Sequence, residues 1–265
     1  LRYGIQQSLN IVACKIVQDI GIQRSLEYLE KFGITTMVTR NENKSHNDEG
    51  LSSVALGGLT RGVKPIEIAA AYSVFPNKGI YVKPISFTKI LDKDGNVIYE
   101  NKPVKEKVIS EQVAYLMIDI MKGVIKSGTG TAAALSKMPA AGKTGTTSDT
   151  YDAWFVGYTT YYTTAVWLGH DEPKPLNFTG GSYPARIWKV IMEDIHKDLT
   201  PKDFQKPDGL VSVDICTVSG KRPSELCALD PRGSRVKSEI FINGTEPPLD
   251  SICDIHVIKE VCTET

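Results

Sequence analysis

Eight residues in the middle of the chain, Ala140-Ala141-Gly142-Lys143-Thr144-Gly145-Thr146-Thr147, constrain the fold more than any other stretch. They are small and polar. Two segments rich in aromatic and β-branched residues follow, Asp152–Tyr158 and Thr163–Gly169. Both segments have strand composition, and Thr159 to Tyr162 between them suits a hairpin turn. The glycine-bearing run therefore belongs on a strand paired with that hairpin. Gly142 and Gly145 lack Cβ, so another backbone or a ligand can come close. Lys143 supplies a positive charge, and Thr144 and Thr146 supply hydroxyls that donate and accept. Together they suit a carboxylate and a peptide backbone laid along a strand edge.

With 265 residues, the chain can bury a sizeable core as one large domain plus a small module. Its 31 basic and 31 acidic residues balance, and no basic cluster argues for nucleic acid or a membrane surface. No apolar run is long enough to span a bilayer. Ile5, Leu9, Val12, Ile16 and Ile20 recur at helical spacing and predict one helix ending at Gly21. A second helix carries Ile22, Leu26, Leu29 and Phe32 and ends near Gly33. Thr39 to Gly50 is polar and reads as a surface loop. Pro65 opens another helix.

Tyr81 to Leu91 and Asn96 to Tyr99 predict a hairpin turning at Asp92-Lys93-Asp94-Gly95. Ser110 is a good N-cap for a helix with an apolar stripe of Val113, Leu116, Met117, Ile120, Met121 and Val124. Its methionines read as core filling, and Gly128 ends it. After a Pro- and Gly-rich loop, Pro184 starts a last helix with Ile187, Ile191, Ile195 and Leu199 on its apolar face.

Pro201 to Pro207 reads as a linker, which divides the chain into residues 1–200 and a small tail, 201–265. The tail holds Cys216, Cys227, Cys253 and Cys262, which predict disulfides in an extracytoplasmic setting. Cys216 and Cys227 flank a turn-rich segment and are the first choice for a bridge. Zinc with His256 is disfavoured, because the spacing matches no usual site. Cys14 reads as a buried thiol. His46, His170, His196 and His256 are scattered and read as surface or loop residues.

Lys143-Thr144-Gly145 on a strand, running on to Asp152-Ala153-Trp154-Phe155-Val156-Gly157-Tyr158, resembles the third signature of the penicillin-recognising serine enzymes. The extended run looks like a class A penicillin-binding protein. Ser8-Leu9-Asn10 matches that family's second motif, 135 residues before Lys143. Val12 stands near a place where family members often carry proline. Ser45-His46-Asn47 is a second Ser-x-Asn string and reads as a decoy in a solvated loop. The tail resembles the family more loosely, through Glu239-Ile240-Phe241 and Gly244-Thr245-Glu246-Pro247.

The resemblance implies an α+β fold, an antiparallel sheet with helices packed on its faces. It also implies acyl transfer without metal or cofactor. A serine attacks the D-Ala–D-Ala end of a peptidoglycan stem peptide, an acyl-enzyme forms, and a second stem peptide takes the acyl group. β-Lactam antibiotics stall the same step. By this resemblance Ser8 relays a proton, Asn10 bonds the substrate amide, and Lys143 faces the substrate carboxylate. Thr144, Gly145 and Thr146 bind substrate. The family nucleophile is a Ser-x-x-Lys serine on a helix, ahead of Ser-x-Asn. Here Ser86-Phe87-Thr88-Lys89 and Ser234-Arg235-Val236-Lys237 both follow Ser8, and the first reads as a strand. The chain is thus expected to be part of a longer protein. The rest, with the nucleophile and an anchor to the outer face of the bacterial cell membrane, would lie upstream or on a separate chain. A D,D-carboxypeptidase or β-lactamase, and a non-catalytic binding module, are the alternatives.

Overall fold

A computed structural model describes residues 1–258. The chain divides into two compact units, Leu1–Gln205 and Lys206–Thr265. The first is α+β. Its helices are α1 (Arg2–Gln6), α2 (Asn10–Ile20), α3 (Ile22–Lys31), α4 (Leu51–Leu56) and α5 (Pro65–Ser73), followed after four short strands by α6 (Glu111–Ser127) and later by α7 (Tyr183–Ile195). The short strands are β1 (Ile80–Val82), β2 (Lys89–Leu91), β3 (Val97–Glu100) and β4 (Lys105–Lys107). The central sheet is antiparallel, in the order β5 (Ala141–Thr146), β6 (Asp152–Tyr158), β7 (Thr163–Gly169). Among the described residues, no helix is long and apolar enough to cross a membrane.

The register of β5 on β6 decides which side chains share a face, since directly paired residues point the same way. Ala141 pairs with Tyr158 and Lys143 with Val156, so these four share one face. Thr144 pairs with Phe155 and Thr146 with Ala153 on the other. The first face buries Ala141 and Tyr158 with Ile118 and Met121 of α6 and with Phe204. The second buries Phe155 with Ala185, Trp188 and Met192 of α7 and with Ile125 of α6. Phe155 and Trp188 meet edge to face at 5.2 Å. The indole N–H donates to the carbonyls of Gly157 and Thr164 at 3.2 and 3.1 Å, tying α7 to both strands. A Cβ on Gly157 would sit 2.8 Å from the Trp188 ring, so glycine is what lets the indole lie on the sheet.

Several expectations need correction. The first helix is broken: α1 ends at Gln6 and α2 starts at Asn10, with Ser8 at φ +57° between them. Gly4 explains the fold-back, because a Cβ there would lie 2.8 Å from Val12 Cγ1. Tyr81 to Leu91 is not one strand. β1 pairs with β4, and only β2 and β3 form the hairpin at Asp92–Gly95. Pro84 interrupts the run, because proline has no N–H to give to a ladder. On α7 the buried face is Ala185, Trp188 and Met192, one residue round from the expected stripe, and Ile187, Ile191 and Ile195 are exposed. Large aromatic area outweighs the regular isoleucine spacing. His196 is buried rather than superficial: its ring contacts Thr159 Oγ1 at 2.8 Å and the Met192 carbonyl at 2.7 Å. Cys14 is half-buried and free.

The second unit pairs β8 (Leu210–Cys216) with β9 (Val236–Ile242), and a short helix, α8 (Glu225–Ala228), lies between them in sequence. The expected Cys216–Cys227 bridge is not formed. Both thiols are free, and both face a common centre with Cys253 and His256, so no pair is singled out. Cys262 lies outside the described residues.

The polar segment from Thr39 to Gly50 is pinned at one point. Asp48 is 1 % exposed and accepts from Val38 N at 2.7 Å, Thr60 N at 2.7 Å and Thr60 Oγ1 at 2.7 Å. Removing this acceptor strands a buried N–H, which costs more than the hydrogen bond itself is worth. Asp48→Ala is expected to destabilise the protein by about 2–3 kcal/mol, measured by urea unfolding, whereas His46→Ala at an exposed position of the same loop stays near wild type.

Candidate active site

The side chains converging at the edge of the sheet come from elements far apart in sequence. α1 is clamped along α6: Arg2 pairs with Asp119, and Gln6 Nε2 donates to Ser127 Oγ at 2.6 Å. Thr129 N donates to the Gln6 carbonyl at 3.2 Å. This approach requires Gly128, where a Cβ would lie 2.4 Å from that carbonyl oxygen. α6 in turn packs on β5. The turn between α1 and α2 is therefore held over Lys143.

Lys143 Nζ donates to Ser8 Oγ at 2.7 Å, across 135 residues of sequence, and to the Thr144 carbonyl at 3.0 Å. Burial lowers the Lys143 ammonium from its ordinary 10.5 to about 8. An amine of that pKa against a hydroxyl can exchange a proton with it near neutral pH. Ser8 itself is exposed and sits in the left-handed region, which non-glycine residues adopt only when their surroundings hold them there. Asn10 is exposed in the first turn of α2.

Thr144 and Thr146 lie on the other face. Thr144 Oγ1 hydrogen-bonds Thr129 Oγ1 at 2.7 Å, and Thr146 Oγ1 accepts from Gly180 N at 3.1 Å. Gly180 and Gly181 lie flat on the strand: a Cβ on Gly180 would be 2.4 Å from the Gly145 carbonyl oxygen, and one on Gly181 2.3 Å from that of Thr129. Thr129, Gly180 and Gly181 escape a reading of the sequence. The adjacent glycines carry the only signal, a place where backbone needs to approach backbone.

The two Ser-x-x-Lys strings are placed where neither can form a helical pair. Ser86 is in a bend and Lys89 opens β2, while Ser234 is in a loop and Lys237 is in β9. His46 and His170 are exposed and away from any cluster of metal-binding type among the described residues.

Comparison with known proteins places these features in a family. Residues 1–193 match the penicillin binding protein transpeptidase domain, and residues 206–258 match the penicillin-binding protein 1A C-terminal domain. Penicillin-binding protein 1A of Clostridium botulinum is 40% identical over 262 residues, covering 98% of this chain and 31% of the relative. That of Clostridium tetani is 38% identical, covering 97% of this chain and 32% of the relative. The chain thus spans about a third of the length of these relatives. The crystal structure of penicillin-binding protein 1A from Haemophilus influenzae superposes with a TM-score of 0.75 at 26% identity, covering 94% of this chain and 40% of that one. The fold is also that of the PonA1 protein from Mycobacterium tuberculosis, solved in complex with penicillin V, with a TM-score of 0.68 at 24% identity over 78% of this chain and 59% of that one. With its transpeptidase match spanning most of its length, the chain belongs to the penicillin-binding protein transpeptidase family.

Proposed function

We propose that this chain forms the Ser-x-Asn and Lys-Thr-Gly part of a serine-type D,D-transpeptidase that cross-links peptidoglycan stem peptides and is acylated by β-lactams. The contact of Lys143 Nζ with Ser8 Oγ carries the reading. Two residues that the family motifs pair, far apart in sequence, meet beside an edge strand able to take a peptide. In this reading Lys143 provides the charge that holds the substrate carboxylate, with Thr144, Gly145 and Thr146 lining the strand. Ser8 passes a proton to the leaving amine, and Asn10 bonds the substrate amide. The Thr146 N–H is one oxyanion donor. The attacking serine belongs to a segment outside these 265 residues, and the whole works on the outer face of the cell membrane.

Proton movement follows from the site's own groups. As the serine of the absent segment attacks the D-Ala–D-Ala carbonyl, negative charge grows on the carbonyl oxygen and the leaving amine needs a proton. Ser8, bonded to Lys143, gives that proton and is resupplied by the ammonium. Burial makes the ammonium a readier donor than a solvated lysine. A substrate carboxylate arriving beside it raises its proton affinity again, which ties protonation to occupancy.

Fluorescent penicillin on denaturing gels tests the assignment. The isolated chain is expected to take no covalent label. A longer protein including the Ser-x-x-Lys segment is expected to label, and Lys143→Ala should slow that labelling by about 10²-fold. A boiling-resistant label on the isolated chain, mapped to Ser8, Ser86 or Ser234, defeats the assignment. Product analysis with stem peptides separates cross-linking from the hydrolysis expected of a D,D-carboxypeptidase or β-lactamase.

The lowered Lys143 pKa also predicts a pH-dependent stability. The unfolded chain holds the lysine proton up to about pH 10.5 and the folded one only to about 8. Between these values the unfolded state binds more protons, so stability rises with pH. The full difference corresponds to an upper limit of about 3 kcal/mol. Lys143→Met removes the buried charge. Its stability relative to wild type should be highest at about pH 7 and fall steadily toward about pH 9.5, measured by denaturant unfolding of both proteins across the series. A constant difference counts against the buried ammonium.

A further inference from the structure

The second unit has no ordinary apolar core among its described residues. Among its described residues the four buried ones are Cys216, Cys227, Asp230 and Cys253. Val236 is the partly buried apolar residue packed on the cysteines. A unit of about 60 residues is too small to be held by apolar burial alone, and such units generally need a staple. The centre of this one is three thiols and an imidazole.

We propose that Cys216, Cys227, Cys253 and His256 bind a structural zinc ion. Their ligand atoms all lie within 4.8 Å of one another. His256 Nδ1 is 3.5 Å from Cys216 Sγ and 3.4 Å from Cys253 Sγ. Tetrahedral zinc with ordinary Zn–S and Zn–N bonds separates sulfur from nitrogen by about 3.5 Å. The imidazole is oriented for the task. Its Nδ1 faces the sulfurs, while Nε2 lies 3.1 Å from Asp230 Oδ2, the carboxylate–histidine arrangement that fixes the tautomer of a zinc ligand. Asp230 is itself fixed by Arg232 at 2.9 Å and Arg235 at 3.2 Å.

The ligand backbones are fixed too. Cys216 ends β8 and donates its N–H to the Lys221 carbonyl at 2.9 Å, Cys227 sits in α8 and its carbonyl accepts from Arg235 N at 2.8 Å, and Cys253 N donates to the Arg222 carbonyl at 2.8 Å. Ser224 N lies 3.3 Å from Cys227 Sγ and donates to it. A disulfide would use two of the three sulfurs and leave the third, with its oriented histidine, unused. Three soft sulfurs and one imidazole select zinc over the oxygen-preferring divalent ions. The ion takes cysteine as thiolate and histidine as neutral imidazole, so protons compete with it and binding weakens as pH falls.

The test uses the whole 265-residue chain. Purified without chelator, it is expected to hold one zinc per chain by elemental analysis. Replacing the metal with cobalt(II) in the unaltered chain should give thiolate-to-cobalt charge-transfer bands and the intense visible bands of a tetrahedral site. That measurement does not depend on any variant folding. Cys14→Ser and Cys262→Ser should keep the zinc, and Cys253→Ser or His256→Ala should lose it. Asp230→Asn, which changes only the residue behind the histidine, should weaken zinc affinity about 10–100-fold while leaving one site per chain. The proposal is overturned by a disulfide mapped between any two of Cys216, Cys227 and Cys253, by a chain with free thiols that takes up neither zinc nor cobalt, or by full zinc retention in the Cys253 and His256 variants.

Discussion

A half-buried ammonium held against a serine hydroxyl organises the first unit. Desolvation disfavours the charge of Lys143 where it sits and lowers its pKa to about 8. It is kept there by structure on both sides. β5 is locked to β6 through Gly142, where a Cβ would lie 2.7 Å from the Val156 carbonyl oxygen. Ser8 is held by a helix break that Gly4 permits and that α6 clamps through Gln6 and Thr129. Loosening any of these moves the hydroxyl relative to the amine. A hydrogen bond of 2.7 Å tolerates little movement before it weakens.

Much of this is legible because the strands announce themselves. Asp152–Tyr158 and Thr163–Gly169 carry β-branched and aromatic residues to their ends, and the observed strands have those same bounds. Ser110 reads as an N-cap, and its Oγ accepts from Val113 N at 3.2 Å. What stays hidden depends on contacts between distant residues. Periodicity places Ile5 to Ile20 on one helix, but the break is set by Gly4 meeting Val12. The regular isoleucines of α7 mask the face that Trp188 fills. Asp48 looks like one more polar loop residue, and only the distant N–H groups of Val38 and Thr60 make it an anchor.

The two units answer the same thermodynamic need differently. In the first, aromatic and aliphatic side chains on both faces of a three-stranded sheet offset the entropy of ordering the chain. In the second, a two-stranded ribbon of this length has too little apolar surface to do so. Its buried positions are occupied instead by thiols and a carboxylate, groups that cost free energy to bury unless they are paired or ligated. Spacing along the chain conceals that grouping. Cys216 ends a strand, Cys227 lies in a helix, and Cys253 follows the parallel bridge of Arg222 with Ile252, so the three meet only after three separate segments are placed.

Both sites are therefore found by the same physical sign, polar groups held where local preference would not put them. Ser8 in a left-handed conformation and Lys143 under cover are each unfavourable alone. So is Asp230, whose side chain is 3 % exposed. Such departures persist only when surrounding structure fixes them, and they concentrate where binding or chemistry is done. For Lys143 the compensation among the described residues is partial, since one hydroxyl and one carbonyl accept from an ammonium that has three donors. An incoming carboxylate would complete it. For Asp230 the compensation is full, with two guanidinium groups and an imidazole around one carboxylate. The first arrangement is suited to a group that changes its proton and its partner during a reaction, the second to one that holds a neighbour still.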